Sequence, residues 1–251
     1  MVNTVKKAFD ILFLLARSDS MGISEISSGL GIPKSSAHSI IMTMLENGIL
    51  QRNPETRRVH LGPRLIELGN DAQTHLDLVR IANPLIRQLN EQTDETVHLT
   101  IFDRDEVLYV DCVESKKRLR TYSVIGVRAP LYCTSVGKAI LAFQPIDEVE
   151  RIIDTYGLPP VTTNTITDRE SLLADLAKVR QRGYAIDDRE HEEHLRCIGA
   201  PIRDARGTVF ASISISGPEQ RITHDAIPDL AEYVVTVAQT LSSRLGNRKT
   251  E

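Results

Sequence analysis

The sequence predicts an α+β protein with two domains, and three observations support that class. Residues 1–62 carry apolar residues at helical spacing and end in two short strand-like runs. Residues 81–251 group strand-like runs at both ends of a helical middle, which indicates an antiparallel sheet with packed helices rather than a repeated βαβ pattern. At 251 residues and 41% hydrophobic, the chain is long enough for two domains, although one large domain would also fit.

The composition excludes several classes of protein. No run approaches the ~18 consecutive apolar residues of a membrane span, and no small-residue cleavage site follows the apolar residues near the N-terminus. The three cysteines, Cys112, Cys133 and Cys197, cannot all pair with one another and form no C-x-x-C motif. We therefore expect a cytoplasmic protein with no membrane partner, no disulfide framework and no cysteine-rich zinc site.

The charge differs between the two parts of the chain. The net charge of −4 by itself argues against a nucleic-acid binder. Residues 1–62, however, contain seven Lys and Arg against five Asp and Glu, a net of +2, and the remainder carries −6. This distribution fits a DNA-facing head on a body with another role. The alternative is an ordinary solvated surface, which would give the same small excess of positive charge.

The first helix is predicted over residues 4–17, where apolar residues recur at three- and four-residue steps. We expect this stripe to pack against the helices that follow it and to position them. The residues of the stripe are Val5, Ala8, Phe9, Leu12, Leu15 and Ala16.

Residues 24–47 predict two short helices joined by a tight turn. Ser24 is the expected N-cap of the first of them, and Gly31 with Pro33 ends it before the second begins. The second helix opens with polar side chains and becomes apolar in later turns, as in a helix-turn-helix whose second helix enters the major groove. A plain helical hairpin with serine-rich caps is the alternative. The predicted DNA-contacting residues of this segment are Ser24, Lys34, Ser35, Ser36, His38 and Ser39.

A β-hairpin is predicted directly after this second helix. Two strand-like runs, 49–52 and 58–61, flank the turn residues of segment 53–56. A hairpin in this position is a wing, and Arg52, Arg57 and Arg58 lie on or beside its tip. We expect these arginines to contact phosphates or the minor groove of double-stranded DNA, which sets the register of the protein without specifying sequence. The alternative for each of these three residues is an ordinary surface arginine without a DNA contact.

A linker helix over residues 63–80 is predicted to join a head of residues 1–62 to a body of residues 81–251. The helical pattern continues to about residue 92, but Pro84 would clash inside a continuous helix. We therefore expect a break near residues 82–83 and a fresh helix over 84–92.

The body is predicted to alternate between strands and helices in a defined order. Strands are predicted over 96–102, 107–113, 119–124, 184–187, 197–203 and 208–216. Helices are predicted over 135–143, 146–155, 168–181 and 224–245, with Asp168 as an N-cap and Gly183 as a stop for the third.

Several motifs along the chain together resemble one known family. The head carries S-E-I-S-x-x-L-G-I-P-K-S-S over residues 24–36 and V-H-L-G-P-R-L over 59–65. The body carries P-L-Y-C-T-S-V-G-K-A over 130–139, R-G-Y-A over 182–185, D-D-R-E-H over 187–191, L-R-C-I-G-A-P-I over 195–202 and S-I-S-I-S-G-P over 212–218. In this order, over about 190 residues, these motifs resemble the IclR family of bacterial transcription regulators. One position departs from the family pattern, because His194 stands where a glycine is usual before L-R-C.

The resemblance implies a body similar to a GAF-like ligand-sensing domain, a dimer held partly by head-to-head contacts, and a small organic-acid effector. The residues that match effector-contacting positions are Asp187, Cys197, Ser214 and Ser216, with backbone donors from Ser135 and Val136. A helix N-terminus can hold a carboxylate, and two serines two positions apart on a strand share one face. A polar outer strand face is the alternative for the two serines.

Two other kinds of chemistry compete for the same part of the body. Cys197 with His191 or His194 and Asp187 could form a thiol nucleophile with its base, although no oxyanion-hole motif accompanies them. The donors Asp187, Asp188, His191 and His194 could instead bind a metal, although acid-rich loops usually face water. Gly137-Lys138 lacks the glycine spacing of a phosphate-binding loop.

The sequence therefore predicts a transcription regulator rather than an enzyme, with no cofactor and no metal. Its expected partners are a roughly palindromic operator in double-stranded DNA, a small organic acid, and further copies of itself in a homodimer or a dimer of dimers. A cytosolic cysteine-dependent enzyme with an accessory head is the alternative function.

Overall fold

A computed structural model of the chain describes residues 3–74, 77–119 and 125–247. The contacts within the chain divide it into two compact units, Met1–His75 and Leu76–Glu251. The first unit is helical with one small hairpin, and the second is built on a single antiparallel sheet. The predicted α+β class with two domains is confirmed.

The first unit forms a three-helix core with a hairpin. Its hydrophobic cluster includes Ile11, Ile26, Ile41, Leu50 and Val59, one from each of five successive elements. The hairpin strands pair antiparallel, and Met21 bridges to the second of them. The elements are α1 (Asn3–Leu15), α2 (Ile23–Leu30), α3 (Lys34–Glu46), β1 (Leu50–Arg52), β2 (Val59–Leu61) and α4 (Arg64–Thr74).

The predicted buried stripe of α1 is wrong in part. Ile11 and Leu15 are buried, but Val5 and Phe9 are 53% and 54% exposed. The apolar residues of α1 form more than one stripe, and periodicity alone does not show which stripe faces a partner helix. The exposed stripe continues to Phe13, whose ring stacks on that of Phe9 with centroids 6.5 Å apart.

The N-terminus of α2 also differs from the prediction. Gly22 is the N-cap, and Ser24 lies inside the first turn with an exposed side chain. The Glu25 carboxylate accepts a hydrogen bond from the Gly22 N–H at 2.9 Å, which is the bond that the third helical residue makes to the N-cap backbone in a capping box. The end of the helix agrees with the prediction, since Gly31 adopts a left-handed conformation with φ of 61°.

The second unit contains helices on both faces of its sheet. The six strands among its described residues have the order β5-β4-β3-β8-β7-β6, and every neighbouring pair is antiparallel. Helices α5 and α9 pack on one face, and α6 packs on the other. These elements are α5 (Asp77–Thr93), β3 (Thr96–Asp103), β4 (Glu106–Val113), β5 (Arg128–Ala129), α6 (Ser135–Leu141), α7 (Ile146–Tyr156), α8 (Arg169–Arg182), β6 (Ala185–Asp188), β7 (Leu195–Arg203), β8 (Val209–Pro218) and α9 (Ile227–Arg244).

The break predicted near residues 82–83 is wrong, because α5 continues through Pro84. Pro84 is exposed, and Arg80, whose carbonyl loses its helical partner, is exposed as well. Water can solvate that carbonyl, so the proline costs the helix less than it would in a buried turn. Meanwhile Ala82 and Leu85 are buried and hold the helix against the sheet.

Two further predictions concern ends of elements. Asp168 caps α8 by accepting from the Ser171 N–H at 2.9 Å, and Gly183 ends the helix with φ of 84°, as the sequence predicts. Of the strand predicted over 119–124, Leu119 is described and lies outside any strand, and residues 120–124 lie outside the described residues. The short strand β5, Arg128–Ala129, was not predicted.

Candidate DNA-reading helix and effector pocket

Helix α3 presents a polar face at its start and an apolar face to the core. Ala37, Ile40 and Ile41 are buried, which fixes the orientation of the helix. The predicted DNA contacts Lys34, Ser35, His38 and Ser39 are exposed, and Ser36 is half-buried. The first turns of α3 therefore offer hydrogen-bonding side chains to the solvent, as contact with base edges requires.

The three wing arginines have different environments. Arg57 lies exposed at the hairpin tip with φ of 58°, after a turn in which the Asn53 side chain accepts from two backbone N–H groups. Arg52 is half-buried, and its Nη2 contacts the Met42 sulfur at 3.6 Å. Only Arg57 combines the tip position with full exposure.

Arg58 is engaged by the head itself. Its guanidinium donates to both carboxylate oxygens of Glu25, at 3.0 and 2.7 Å, and to the carbonyl of Ser20 at 2.9 Å. The Glu25 pKa is held below its usual value, mainly by this arginine. These bonds tie the second wing strand to the start of α2, so Arg58 positions the wing in addition to any contact with phosphate.

The body contains a cavity of about 120 Å³ above one face of its sheet. Strand register creates the floor of this cavity from two cross-strand rows. Asp187 pairs with Cys197 and Cys197 with Ser216 in one row, and Ser214 pairs with His98 in the next. All six predicted effector residues line this cavity: Ser135, Val136, Asp187, Cys197, Ser214 and Ser216.

Two contacts hold the start of helix α6 at the cavity. One is a close approach that only glycine allows, and the other is a hydrogen bond from a serine hydroxyl. A Cβ on Gly199 would lie 2.6 Å from the Ser135 carbonyl oxygen, so only glycine lets β7 approach α6 this closely. The Ser212 hydroxyl donates to the Val136 carbonyl at 3.0 Å. Among the described residues, no hydrogen bond uses the N–H of Ser135 or Val136, which leaves both donors at the cavity.

Asp187 is one of the ionisable side chains that line the cavity. Its Oδ1 accepts from the backbone N–H of Glu190 at 2.7 Å and of His191 at 3.3 Å. Burial, reinforced by the Glu190 carboxylate, raises the pKa of Asp187 to about 7. Near neutral pH this side chain therefore exists in both its protonated form, a hydrogen-bond donor, and its ionised form.

Two aromatic side chains in the cavity were not predicted. His98 on β3 and Tyr109 on β4 line it with their rings edge to face, 5.2 Å apart. Burial lowers the pKa of His98 to about 4, so its ring is neutral at physiological pH. Burial also raises the pKa of Tyr109, which keeps its hydroxyl protonated. Both offer neutral hydrogen-bonding groups.

A buried ionic cluster lies behind the cavity. Lys138 of α6 is only 1% exposed, and its Nζ contacts Asp175 of α8 at 2.8 Å and Glu190 at 2.5 Å. Burial lowers the pKa of Lys138, but the two carboxylates outweigh it and hold the pKa above its usual value. This cluster joins α6, α8 and the turn that follows Asp187.

Comparisons with known proteins identify the family. A family model described as the bacterial transcriptional regulator IclR C-terminal domain matches residues 71–243, and one for the IclR helix-turn-helix domain matches residues 4–54. This chain belongs to the IclR family.

Named members and solved structures of the IclR family match nearly the whole chain. The HTH-type transcriptional regulator KdgR of Escherichia coli (strain K12) is 37% identical over 245 residues, which cover 98% of this chain and 93% of KdgR. The crystal structure of the Thermotoga maritima IclR matches with a TM-score of 0.79 at 34% identity, over 98% of this chain and 100% of that one. An IclR homologue from Microbacterium hydrocarbonoxydans, crystallised with 4-hydroxybenzoate, matches with a TM-score of 0.83 at 26% identity, over 97% of this chain and 99% of that one.

Membership of the IclR family makes the chain a DNA-binding transcription regulator with an effector-binding body. Related members are named as regulators, so the alternative of a cysteine-dependent enzyme has no support. The geometry agrees, because burial raises the pKa of Cys197 well above its usual value and its thiol lies 3.0 Å from the Ser216 hydroxyl. Such a thiol stays protonated and is a poor nucleophile.

The metal alternative for this IclR-family body does not assemble in the part of the chain that the structure describes. No group of three or more His, Cys, Asp or Glu side chains converges there as a metal site. Asp188 instead pairs with Arg196 at 2.8 Å, and His194 is exposed beside Glu219. His194 has φ of 67°, which explains physically why a glycine suits this position.

No helix among the described residues of this IclR-family protein is long and apolar enough to cross a membrane.

Proposed function

We propose that this regulator binds a roughly palindromic operator as a homodimer or a dimer of dimers, and that a small organic acid in the body pocket changes its operator affinity. The single observation that carries the proposal is the convergence of the predicted effector residues on one cavity of about 120 Å³. The volume suits a small molecule. The proposal places this activity in the cytoplasm, where a bacterial regulator meets its operator.

The charged side chains that line the pocket are Arg128, Asp187 and Glu192, so the carboxylate of an acid effector must rest on neutral hydrogen-bond donors. The Arg128 side chain lines the cavity, but it pairs with Asp103 and Glu106, so its charge is already compensated. A carboxylate would therefore rest on the hydroxyls of Ser214 and Ser216 and on the N–H groups that begin α6. Asp187 then needs a proton, or it needs a ligand hydroxyl or hydrated carbonyl to contact.

The bound 4-hydroxybenzoate of the Microbacterium hydrocarbonoxydans homologue supports an acid with a second polar group as the class of effector. It has a carboxylate at one end and a hydroxyl at the other. Lactate carries a carboxylate and a hydroxyl in a smaller volume, and pyruvate carries a carboxylate and a carbonyl that becomes two hydroxyls on hydration. We therefore choose these three compounds as probes.

The proposal is tested by removing the two serine hydroxyls together. Ser214→Ala with Ser216→Ala should abolish binding of the probe acids in titration calorimetry and should leave operator gel shifts without acid unchanged. Both positions are buried on one strand face, and alanine keeps that strand intact. Ser171→Ala, which removes an exposed hydroxyl from α8 of the same body, is the matched control. Unchanged acid affinity in the double variant would place the effector elsewhere.

The exposed apolar stripe of α1 supports self-association of the heads. Val5, Phe9 and Phe13 are each more than half exposed, and the rings of Phe9 and Phe13 stack on each other. Such a stripe on a small domain usually marks a contact surface. A second copy of the head is the occupant that suits a palindromic site, since two-fold symmetry of the protein then matches that of the DNA.

A further inference from the structure

A second cavity lies on the body, away from the residues of the effector pocket. It has a volume of about 430 Å³ and lies between the end of α9, the strand β7 and the end of α8. Two arginines, Arg180 of α8 and Arg203 of β7, line it together with apolar side chains. We call this cavity the arginine groove.

Arg203 is held rigidly but lacks a negative partner among the described residues. Its guanidinium stacks on the Phe143 ring at 4.5 Å, and its Nη1 donates to the Gly207 carbonyl at 2.9 Å. The side chain is half-buried, and this burial lowers its pKa. By contrast, the similarly covered Arg128 and Arg221 each contact a carboxylate.

Arg180 is anchored immediately beside this site. Its Nη1 donates to the carbonyl of Ala142 at 2.8 Å, and Ala142 precedes the residue on which Arg203 stacks. Adjacent residues at the end of α6 therefore hold the two guanidinium groups. No carboxylate of the described residues lies within ion-pair distance of Arg180. Each arginine uses one N–H in its anchor and retains others for a ligand.

Two anchored guanidinium groups without a counter-charge line this groove, so an anion bound there is attracted by both. We propose that the arginine groove is a second ligand site, which binds a small dianion such as a phosphate group or a dicarboxylate. Guanidinium groups form paired hydrogen bonds with phosphate and carboxylate oxygens, which suits both chemistries. The apolar wall formed by Pro201, Val235 and Ala238 accommodates the carbon skeleton of such a ligand.

Titration calorimetry on the full chain tests this site, with inorganic phosphate and succinate as the two probes at constant ionic strength. At least one probe should bind saturably, and the pair distinguishes a phosphate site from a dicarboxylate site. Arg203→Gln and Arg180→Gln should each weaken that binding by about tenfold or more, since each removes a charged donor pair. Arg203→Lys, which keeps the charge and loses the planar fork, should weaken it as well.

The matched control is Arg182→Gln. Arg182 also stacks on an aromatic ring, that of Tyr184, but it does not line the groove. Its replacement should leave the affinity within about twofold of the wild type, because it removes the same charge without removing a ligand contact. Arg180 lies on an exposed part of α8, so the Arg180→Gln variant should fold. It therefore still tests the site if the Arg203→Gln variant fails to fold.

Three results would overturn the proposal. One is the absence of saturable binding of both probes, and a second is equal affinity in the wild type and in Arg180→Gln. The third is an equal loss in Arg182→Gln, which would show a general response to charge. Binding in the Ser214→Ala and Ser216→Ala double variant should persist, since those hydroxyls line only the effector pocket.

Discussion

At the scale of single residues, we propose that the proton on Asp187 controls which ligands the candidate effector pocket accepts. A buried carboxylate beside a bound carboxylate is unfavourable, whereas a protonated carboxyl can donate a hydrogen bond to it. Burial and Glu190 raise the pKa of Asp187 to about 7, so both states are populated near neutral pH. The proposed effector site should therefore bind an acid more tightly at lower pH.

We expect the affinity for 4-hydroxybenzoate, pyruvate or lactate to fall about tenfold between pH 6 and pH 8, because the protonated fraction of a group with a pKa near 7 falls by that factor. His98 has a pKa of about 4 and does not titrate in this window. Titration calorimetry at three pH values measures the change. Asp187→Asn cannot ionise and should bind with little pH dependence, whereas a flat profile in the wild type would contradict this role for Asp187.

The sequence predicted a side chain of the pocket only where that residue lies within a motif of the family resemblance. Asp187, Cys197 and Ser214 lie within motifs of the resemblance, and their positions follow from it. His98 and Tyr109 lie in ordinary strand patterns. Their presence in the cavity depends on the register that sets His98 opposite Ser214, and one sequence does not specify strand pairing.

At the scale of elements, the close contact between α6 and β7 leaves no room for a side chain at Gly199. Gly199→Ala should destabilise the body by about 1–3 kcal/mol, because the new methyl group would meet backbone atoms of Ser135. It should also weaken acid binding, since α6 must shift away from the cavity. Thermal unfolding and calorimetry measure the two effects. Gly69→Ala, in α4 with open space around it, is the control and should be neutral or slightly stabilising.

Helix α3 and the wing should contribute differently to DNA binding. His38→Ala should flatten discrimination between operator variants by about 1–3 kcal/mol at one base pair, since a base contact is lost. Arg57→Ala at the exposed tip should weaken all sequences alike and reduce the salt slope by about one unit. Salt-dependent gel shifts on several sites separate the two patterns. A uniform loss in both variants would contradict the division into base-reading and phosphate-contacting residues.

The predictions about helices were wrong where the sequence was compatible with two structures and burial decided between them. Pro84 indicated a helix break, but its exposed position lets α5 continue, because the lost hydrogen bond faces water. The apolar residues of α1 fit two stripes, and only packing against the rest of the head selected the one with Ile11. Helix α8 was predicted correctly because its caps, Asp168 and Gly183, act locally.

At the scale of the whole molecule, the charge distribution predicts that a single head binds DNA weakly. A net of +2 over residues 1–62 supplies little attraction to phosphates, so two linked heads should be needed for tight binding. A fragment of residues 1–62 should therefore bind operator much more weakly than the full chain at equal head concentration. Circular dichroism confirms that the fragment is folded, and equal affinities would contradict a role for assembly.

The buried cluster of Lys138, Asp175 and Glu190 restricts how this protein can change over evolutionary time. Loss of Lys138 leaves the Glu190 carboxylate, which is only 7% exposed, without its cation, at a cost of about 3–5 kcal/mol. Replacing all three with apolar residues of similar volume removes that cost. A variant that loses Lys138 alone is therefore expected to be less stable than one that keeps or replaces the whole cluster, and homologues should exchange Lys138 and Glu190 together.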